Sequence, residues 1–194
     1  MYIPSHFRVD DRELMDQFIV ENSFGLLVSS ENAAPVASHL PFHYKDNTLL
    51  CHVAKANPQW QDLEGQRVLV IFPGPHAYVS PTWYAGPGVP TWNYQAVHVY
   101  GRATCFHDEA RLGELVRTLS SLHESSSDSP WSGEFDSRML QAIVGIEIAI
   151  EDIQGKYKLS QNKSEEDRRN VIEQLEEQGE TALAEQMRKS LAGS

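Results

Sequence analysis

The stretch IFPGPHAYVSPTWYAGPGVPTWNYQAVHVYG, from Ile71 to Gly101, decides how this chain is read. Two strand-like runs, Ala77 to Ser80 and Ala96 to Gly101, flank a segment holding Pro81, Pro87, Pro90, Gly86 and Gly88. Proline fixes φ and glycine admits unusual φ, so an ordered, non-repetitive loop is predicted between the strands. Trp83, Tyr84, Trp92 and Tyr94 fall in or beside it. Two readings of these aromatics stand side by side. They cap a core loop, as large apolar residues usually do, or they wall a pocket for a flat aromatic ligand, on which such rings stack.

Upstream, Asp10 to Asn22 reads as a helix. Asp10 and Glu13 have capping-box spacing, and Leu14, Met15, Phe18 and Ile19 make one apolar stripe. Phe24 to Ser29, Pro35 to Phe42 and Leu49 to Val53 read as strands separated by polar turns at residues 31–34 and 45–47. These three predict an antiparallel meander. Asn57 followed by Pro58 looks like an N-cap with proline at the first helical position, opening a helix that ends at Gly65. Arg67 to Phe72 is apolar enough for a buried strand.

Downstream, Thr91 to Phe106 reads as one long strand, with a bend expected at Gly101. Asp108 caps a helix whose stripe is Leu112, Leu115, Val116, Leu119 and Leu122. Asp136 to Ala142 suits a short helix. Ile143 to Leu159 alternates, with Ile146, Ile148 and Ile150 on one face. Ser164 and Asp167 cap another helix with Val171, Ile172 and Leu175 inside; Gly179 ends it and a last helix follows. About seven strands with helices between and after them predict a mainly β (α+β) fold, its sheet curled or closed and its helices packed outside.

The chain has 194 residues, enough for one domain, or one with a small appendage, and for a sizeable core. No apolar run is long enough for a bilayer-spanning helix, and Met1-Tyr-Ile-Pro-Ser-His lacks the shape of a signal peptide. Cys51 and Cys105 form neither a disulfide framework nor a zinc pattern, so a cytoplasmic setting is expected. A net charge of −11 argues against a basic nucleic-acid groove.

Candidate chemistry is sparse. Between Asp46 and Gly101 the only basic residues are Lys55 and Arg67. Lys55 stands just before the predicted helix start at Asn57, where backbone N–H groups favour an anion; the alternative is a solvated surface lysine. A second basic cluster, Lys156, Lys158 and Lys163 in GKYKLSQNK, has Lys156 and Lys158 on one strand face and Ser160, Gln161 and Asn162 as donors; the alternative there is a charged strand end that aids solubility. His39 and His43 share a face, but no HExxH or CxxC accompanies them, so no metal is expected. Neither Ser38 nor Ser80 sits in a nucleophile elbow. No Gly-rich dinucleotide fingerprint or P-loop is present.

Asn57-Pro58 after the third strand, HAYVSPTWY, VPTWNYQAVHVYG and GKYKLSQNK together resemble the PaiB family, described as FMN-binding negative transcriptional regulators. The likeness runs from MYIPSHF to the helix after Asn162. It implies a split β-barrel, homodimeric, with FMN at the subunit interface. Lys55 would take the phosphate, and Ser38 and His52 are also expected among the cofactor-binding residues. His39, Leu40 and Pro41 would lie under the ring. Trp92, Asn93, Tyr94 and Gln95 would approach it from the second subunit, and Lys156 or Lys158 would supplement the phosphate site. The expected organisation is a flavin-binding domain at 1–160 and a helical appendage at 161–194. The chain departs from related oxidases in that Lys55 stands nearly alone, and its proline-rich insertion before Thr91 has no counterpart in the simplest split barrels. Three functions compete: a regulator, an FMN-dependent oxidoreductase and a flavin carrier. Acidity, and Glu173, Glu176, Glu177 and Glu180 beside Arg168 and Arg169, argue against direct DNA binding.

Overall fold

The computed structural model describes residues 1–125, 127–131 and 133–192. Hydrophobic alternation becomes an eight-stranded sheet: β1 (Arg8–Val9), β2 (Phe24–Glu31), β3 (Ala34–Pro41), β4 (His43–Lys45), β5 (Thr48–Ala54), β6 (Arg67–Val79), β7 (Thr91–Phe106) and β8 (Ile143–Lys158). The order is β3-β2-β6-β7-β8-β5-β4, with β1 paired to β8. Among the described residues five α-helices accompany it: α1 (Arg12–Glu21), α2 (Glu109–Glu124), α3 (Ser137–Gln141), α4 (Glu165–Glu177) and α5 (Thr181–Ala192). This is the mainly β class with helices that the sequence predicts.

Two tight turns set the registers. Asn32 and Ala33 both have positive φ (49° and 65°), as do Asp46 and Asn47 (48° and 60°). That is the geometry of turns whose twist matches antiparallel strands. It closes β2 on β3 from Phe24↔Pro41 to Glu31↔Ala34, and β4 on β5 from His43↔Leu50 to Lys45↔Thr48.

The expected meander of three successive strands does not form. β5 pairs with β8, from Thr48↔Ala149 to Ala54↔Ile143, and is not a neighbour of β3. Phe42 explains the departure: it is buried against Phe72, ring centroids 5.4 Å apart, and ends β3 at Pro41. β6 is longer than expected and absorbs Pro73-Gly74-Pro75. Its register with β2 covers Leu69 to Ile71, so the prolines follow where no β2 partner needs their missing N–H.

Helix starts follow their caps. Asp11, rather than Asp10, caps α1, its Oδ1 accepting from the N–H groups of Glu13 and Leu14. Asp108, Asp136 and Ser164 cap α2, α3 and α4. Gly179, at φ 81°, ends α4 in the left-handed region. The segment after Asn57 is a single 3₁₀ turn, Pro58–Asp62, and not the helix expected to reach Gly65. Gly101 is required by a neighbour: an added Cβ would lie 2.4 Å from the Ala149 carbonyl oxygen.

The chain forms two compact units. One comprises Met1–Met15, Pro73–Val97 and Gln154–Ser194; the other comprises Asp16–Phe72 and His98–Ile153. The first is called the ring unit here, for its aromatic residues, and its core includes Val79, Val97, Leu159, Val171, Leu175 and Leu183. The second, the lysine unit, is named for Lys55 and is built on Ile19, Leu27, Leu49, Val70, Phe72 and Ile146. In it α2 packs Leu112 and Val116 against Leu140 of α3, while Leu122, nearly two turns beyond Val116, is exposed. Cys51 and Cys105 are free thiols. Among the described residues no helix is long and apolar enough to cross a membrane.

Candidate functional site

The first group of expected site residues lies in the ring unit. Alternation along β7 buries Asn93 and Gln95 and turns Trp92 and Tyr94 to the other face. Trp92 is 53% exposed. Its ring lies 6.1 Å from His76 and 6.4 Å from Tyr78, centroid to centroid. Pro73, Gly74 and His76 of β6 and Trp92, Tyr94 and Gln95 of β7 line a pocket of about 300 Å³. His76 Nδ1 is 3.1 Å from the Gly74 carbonyl oxygen, its natural acceptor. Pro73, Gly74 and His76 were not foreseen as pocket residues. The signal that finds them is a Pro-Gly-Pro inside an apolar strand, which marks backbone with a free edge.

The proline-rich loop divides the two readings of its aromatics. Tyr84 is a core cap: it is buried, and Gly88 passes so close that an added Cβ would lie 2.2 Å from its ring. Burial raises the Tyr84 phenol pKa, against a hydrogen bond with Ser160 that lowers it. The Ala85 N–H donates to Asp167 Oδ1 at 2.8 Å, tying the loop to α4. Trp92, half-exposed, lines the pocket instead of capping the core. Asn93 is structural: its Nδ2 donates to Ser160 Oγ at 2.9 Å, and Ser160 itself sits at φ 62°.

The basic cluster of this unit is internally engaged. Lys156 is 9% exposed, donates to the Tyr2 carbonyl at 3.1 Å, and lies 5.3 Å from the centre of the Tyr94 ring and 5.7 Å from that of Tyr2. Lys158 donates to Thr91 Oγ1 and, at 2.6 Å, to the Trp92 carbonyl. Burial, and then the Lys156 ammonium, lower the Lys158 pKa. Lys163 lies over Tyr84, 4.4 Å from the ring centre. Arg168 is buried and donates to Ser190 Oγ at 3.1 Å; Arg169 pairs with Glu165.

The second group lies in the lysine unit. His39 is exposed on β3 and stacks with Phe24 at 6.1 Å and 22°; Leu40 is buried and Pro41 half-buried. His52 of β5 is half-buried, its Nδ1 has no hydrogen-bond partner among the described residues, and burial lowers its pKa. Lys55 is exposed, yet its backbone is held at both ends. Its N–H donates to the Ala142 carbonyl at 2.8 Å, and its carbonyl accepts from Trp60 Nε1 at 3.0 Å. The helix-dipole argument for an anion here does not survive. Pro58–Asp62 is one 3₁₀ turn, Pro58 has no N–H, and the Asn57 side chain takes the N–H of Gln59. What Lys55 offers is its own charge on a fixed backbone.

Ser38 is bound to that same turn. Its hydroxyl donates to Gln59 Oε1 at 2.6 Å and accepts from Asn57 Nδ2 at 3.0 Å. Gln59, 3% exposed, was not foreseen; a glutamine in the first turn after Asn-Pro carries no signal of burial in sequence. Among the described residues no group of three or more His, Cys, Asp or Glu side chains is placed to hold a metal ion.

A family model described as "Putative FMN-binding domain" matches residues 1–152. The "Protease synthase and sporulation protein PAI 2" of Bacillus subtilis (strain 168) is 46% identical over 197 residues, covering 96% of this chain and 94% of that protein. Among solved structures, the flavocytochrome Anf3 from Azotobacter vinelandii superposes with a TM-score of 0.68 at 16% identity, over 86% of this chain and 77% of that one. The FAD and heme binding protein from Mycobacterium smegmatis gives 0.66 at 14%, over 82% and 78%. At such identities the likeness is one of fold, and that fold is the split barrel the resemblance implied.

Proposed function

The chain belongs to the FMN-binding domain family, whose cofactor is FMN, and from that premise we propose that its direct activity is to hold FMN between two copies of itself, without gripping DNA. The residues present fit the cofactor. FMN is a flat aromatic ring system on a chain ending in a phosphate. The pocket beside exposed Trp92 is lined by Trp92, Tyr94 and His76, and Lys55 is an exposed cation on a pinned turn. Trp92, Tyr94 and Gln95 would hold the ring, and His39 to Pro41 of the partner copy would lie beneath it. Lys55 of that same partner copy would hold the phosphate. When bound, FMN supplies one- and two-electron redox chemistry at its ring. The chain's own part is to orient the ring and shield its faces from water.

The observation that carries this reading is the aromatic pocket of about 300 Å³ beside Trp92. The likeness to the sporulation protein supports a regulatory setting, and the engagement of every cation from Lys156 to Arg169 supports regulation by something other than direct DNA contact. The family match ends at residue 152, near the proposed boundary between a flavin-binding domain at 1–160 and a helical appendage at 161–194, and the appendage shares a compact unit with the pocket strands. Absorbance titration of the purified protein with FMN, read alongside light scattering, tests the proposal. A flavin spectrum perturbed on binding, with one FMN per chain and twice the chain mass, is expected. No perturbation at any accessible concentration overturns it.

A further inference from the structure

Three side chains of the lysine unit close a ring of hydrogen bonds that no flavin-contact role explains. The Ser38 hydroxyl donates to Gln59 Oε1 at 2.6 Å, the Gln59 N–H donates to Asn57 Oδ1 at 3.0 Å, and Asn57 Nδ2 donates back to Ser38 Oγ at 3.0 Å. The Gln59 amide cannot be turned over. Its Nε2 faces Ser29 Oγ at 2.9 Å and the carbonyls of Val36 and Leu27 at 3.3 and 3.4 Å, and an oxygen there would meet two acceptors. The Ser38 hydroxyl proton is therefore committed to Gln59, which leaves none for a ligand's phosphate.

We infer that Ser38, Asn57 and Gln59 form a latch that positions Lys55 for an anion, so that Ser38 is a positioning residue and not itself a ligand. The inference rests on Lys55 holding the FMN phosphate, as proposed above. The geometry of the segment carries it. Residues 54–57 form a turn closed by the Asn57 N–H on the Ala54 carbonyl at 2.8 Å. One flank of that turn is the Ala142 and Trp60 pair of bonds to the Lys55 backbone; the other is the latch, which clamps Asn57 and Gln59 to the β2–β3 hairpin. Lys55 sits at the first of these and is joined to the second through Ala56, so its exposed side chain springs from a backbone held on both sides. A lysine is a point charge on a flexible stem, so a fixed origin decides whether its ammonium reaches a phosphate often enough to bind.

The test compares FMN with riboflavin, which lacks the phosphate, on four variants: Lys55→Ala, Ser38→Ala, Ser38→Thr and Asn57→Ala. Thermal unfolding establishes which are folded, and Asn57→Ala reads the latch if Ser38→Ala is not. Lys55→Ala should weaken FMN about tenfold or more and leave riboflavin unchanged. Ser38→Ala should weaken FMN about threefold to tenfold, part of the worth of a charge-assisted contact, while riboflavin stays within about twofold. Ser38→Thr, which keeps the hydroxyl, should restore FMN affinity. If Lys55→Ala behaves as expected but the latch variants leave FMN unchanged, or weaken both flavins equally, the latch is wrong and the phosphate site stands. If Lys55→Ala leaves FMN affinity unchanged, the phosphate site falls and the latch falls with it.

Discussion

The basic cluster of the ring unit and Lys55 of the lysine unit treat positive charge in opposite ways. The cluster's cations, from Lys156 to Arg169, are numerous and engaged. Lys156 and Lys163 lie against tyrosine rings, Lys158 donates to Thr91 and the Trp92 carbonyl, and Arg168 reaches Ser190. In the lysine unit Lys55 is exposed, and the structure spends its bonds on the backbone beneath it. A lysine whose ammonium is already hydrogen-bonded must give up those bonds to take a ligand. One held only by its backbone gives up side-chain freedom and water. Counting basic residues therefore points to the far end of the chain, whereas counting uncommitted ammonium groups among the described residues leaves Lys45 and Lys55, of which Lys55 has its backbone N–H and carbonyl both bonded.

That contrast can be broken experimentally. Its largest expected consequence is the tenfold or greater loss of FMN affinity in Lys55→Ala. Next comes Lys158→Met, which keeps the apolar stem and removes the donor. It should cost about 1–2 kcal/mol of stability, since the Trp92 carbonyl loses its partner, and change FMN affinity by less than about threefold. Denaturant unfolding and flavin titration on the same samples read both. A loss of FMN equal to that of Lys55→Ala would erase the distinction between the two units.

A smaller effect is expected from His52, on the strand that leads into the Lys55 turn. Burial lowers its folded pKa, so the native state favours neutral imidazole and the unfolded chain binds more protons as pH falls. The contribution is complete above the unfolded imidazole pKa of about 6.5 and is lost as pH drops through it toward the lower folded value. Tm measured between about pH 7.5 and 5.5 should decline in the parent and decline less in His52→Gln; equal slopes would discount the buried imidazole.

The least effect, none, is expected for DNA. The cluster from Lys156 to Arg169 is engaged, and a net charge of −11 repels the duplex within a Debye length of about 8 Å at physiological salt. Gel shifts with genomic fragments at about 150 mM salt, with and without FMN, should show free DNA only. A discrete band would mean that these cations exchange their partners for phosphate, and the contrast between units would not describe solution.

Much of the fold was legible because its signals are local. Thr91–Phe106 has the bounds that alternation predicts, and Asp108, Asp136 and Ser164 cap the helices expected of them. Trp92, Tyr94 and Lys55 stood out by residue type, and the structure places Trp92 and Tyr94 on one pocket and leaves Lys55 exposed. The division of labour among the site residues was not legible. Ser38 reads as a hydroxyl ligand until Gln59 is seen beside it, 21 positions away. Lys158 reads as a phosphate cation until Thr91 and Trp92 are seen to hold it, 67 and 66 positions away.

By itself the sequence determined the long strand Thr91–Phe106, the caps at Asp108 and Ser164, the Asn57 cap and the acidic balance that weighs against nucleic acid. Each depends on residues within a few positions or on a sum over the whole chain, and neither needs the partners of any one side chain. Tertiary structure alone decided that β5 joins β8 and not β3, that Pro58–Asp62 stops after a single 3₁₀ turn, and which lysines remain uncommitted. Those outcomes depend on what stands opposite a group across the sheet. Hydrogen bonds and ring contacts between distant residues are set by packing, which no local periodicity encodes.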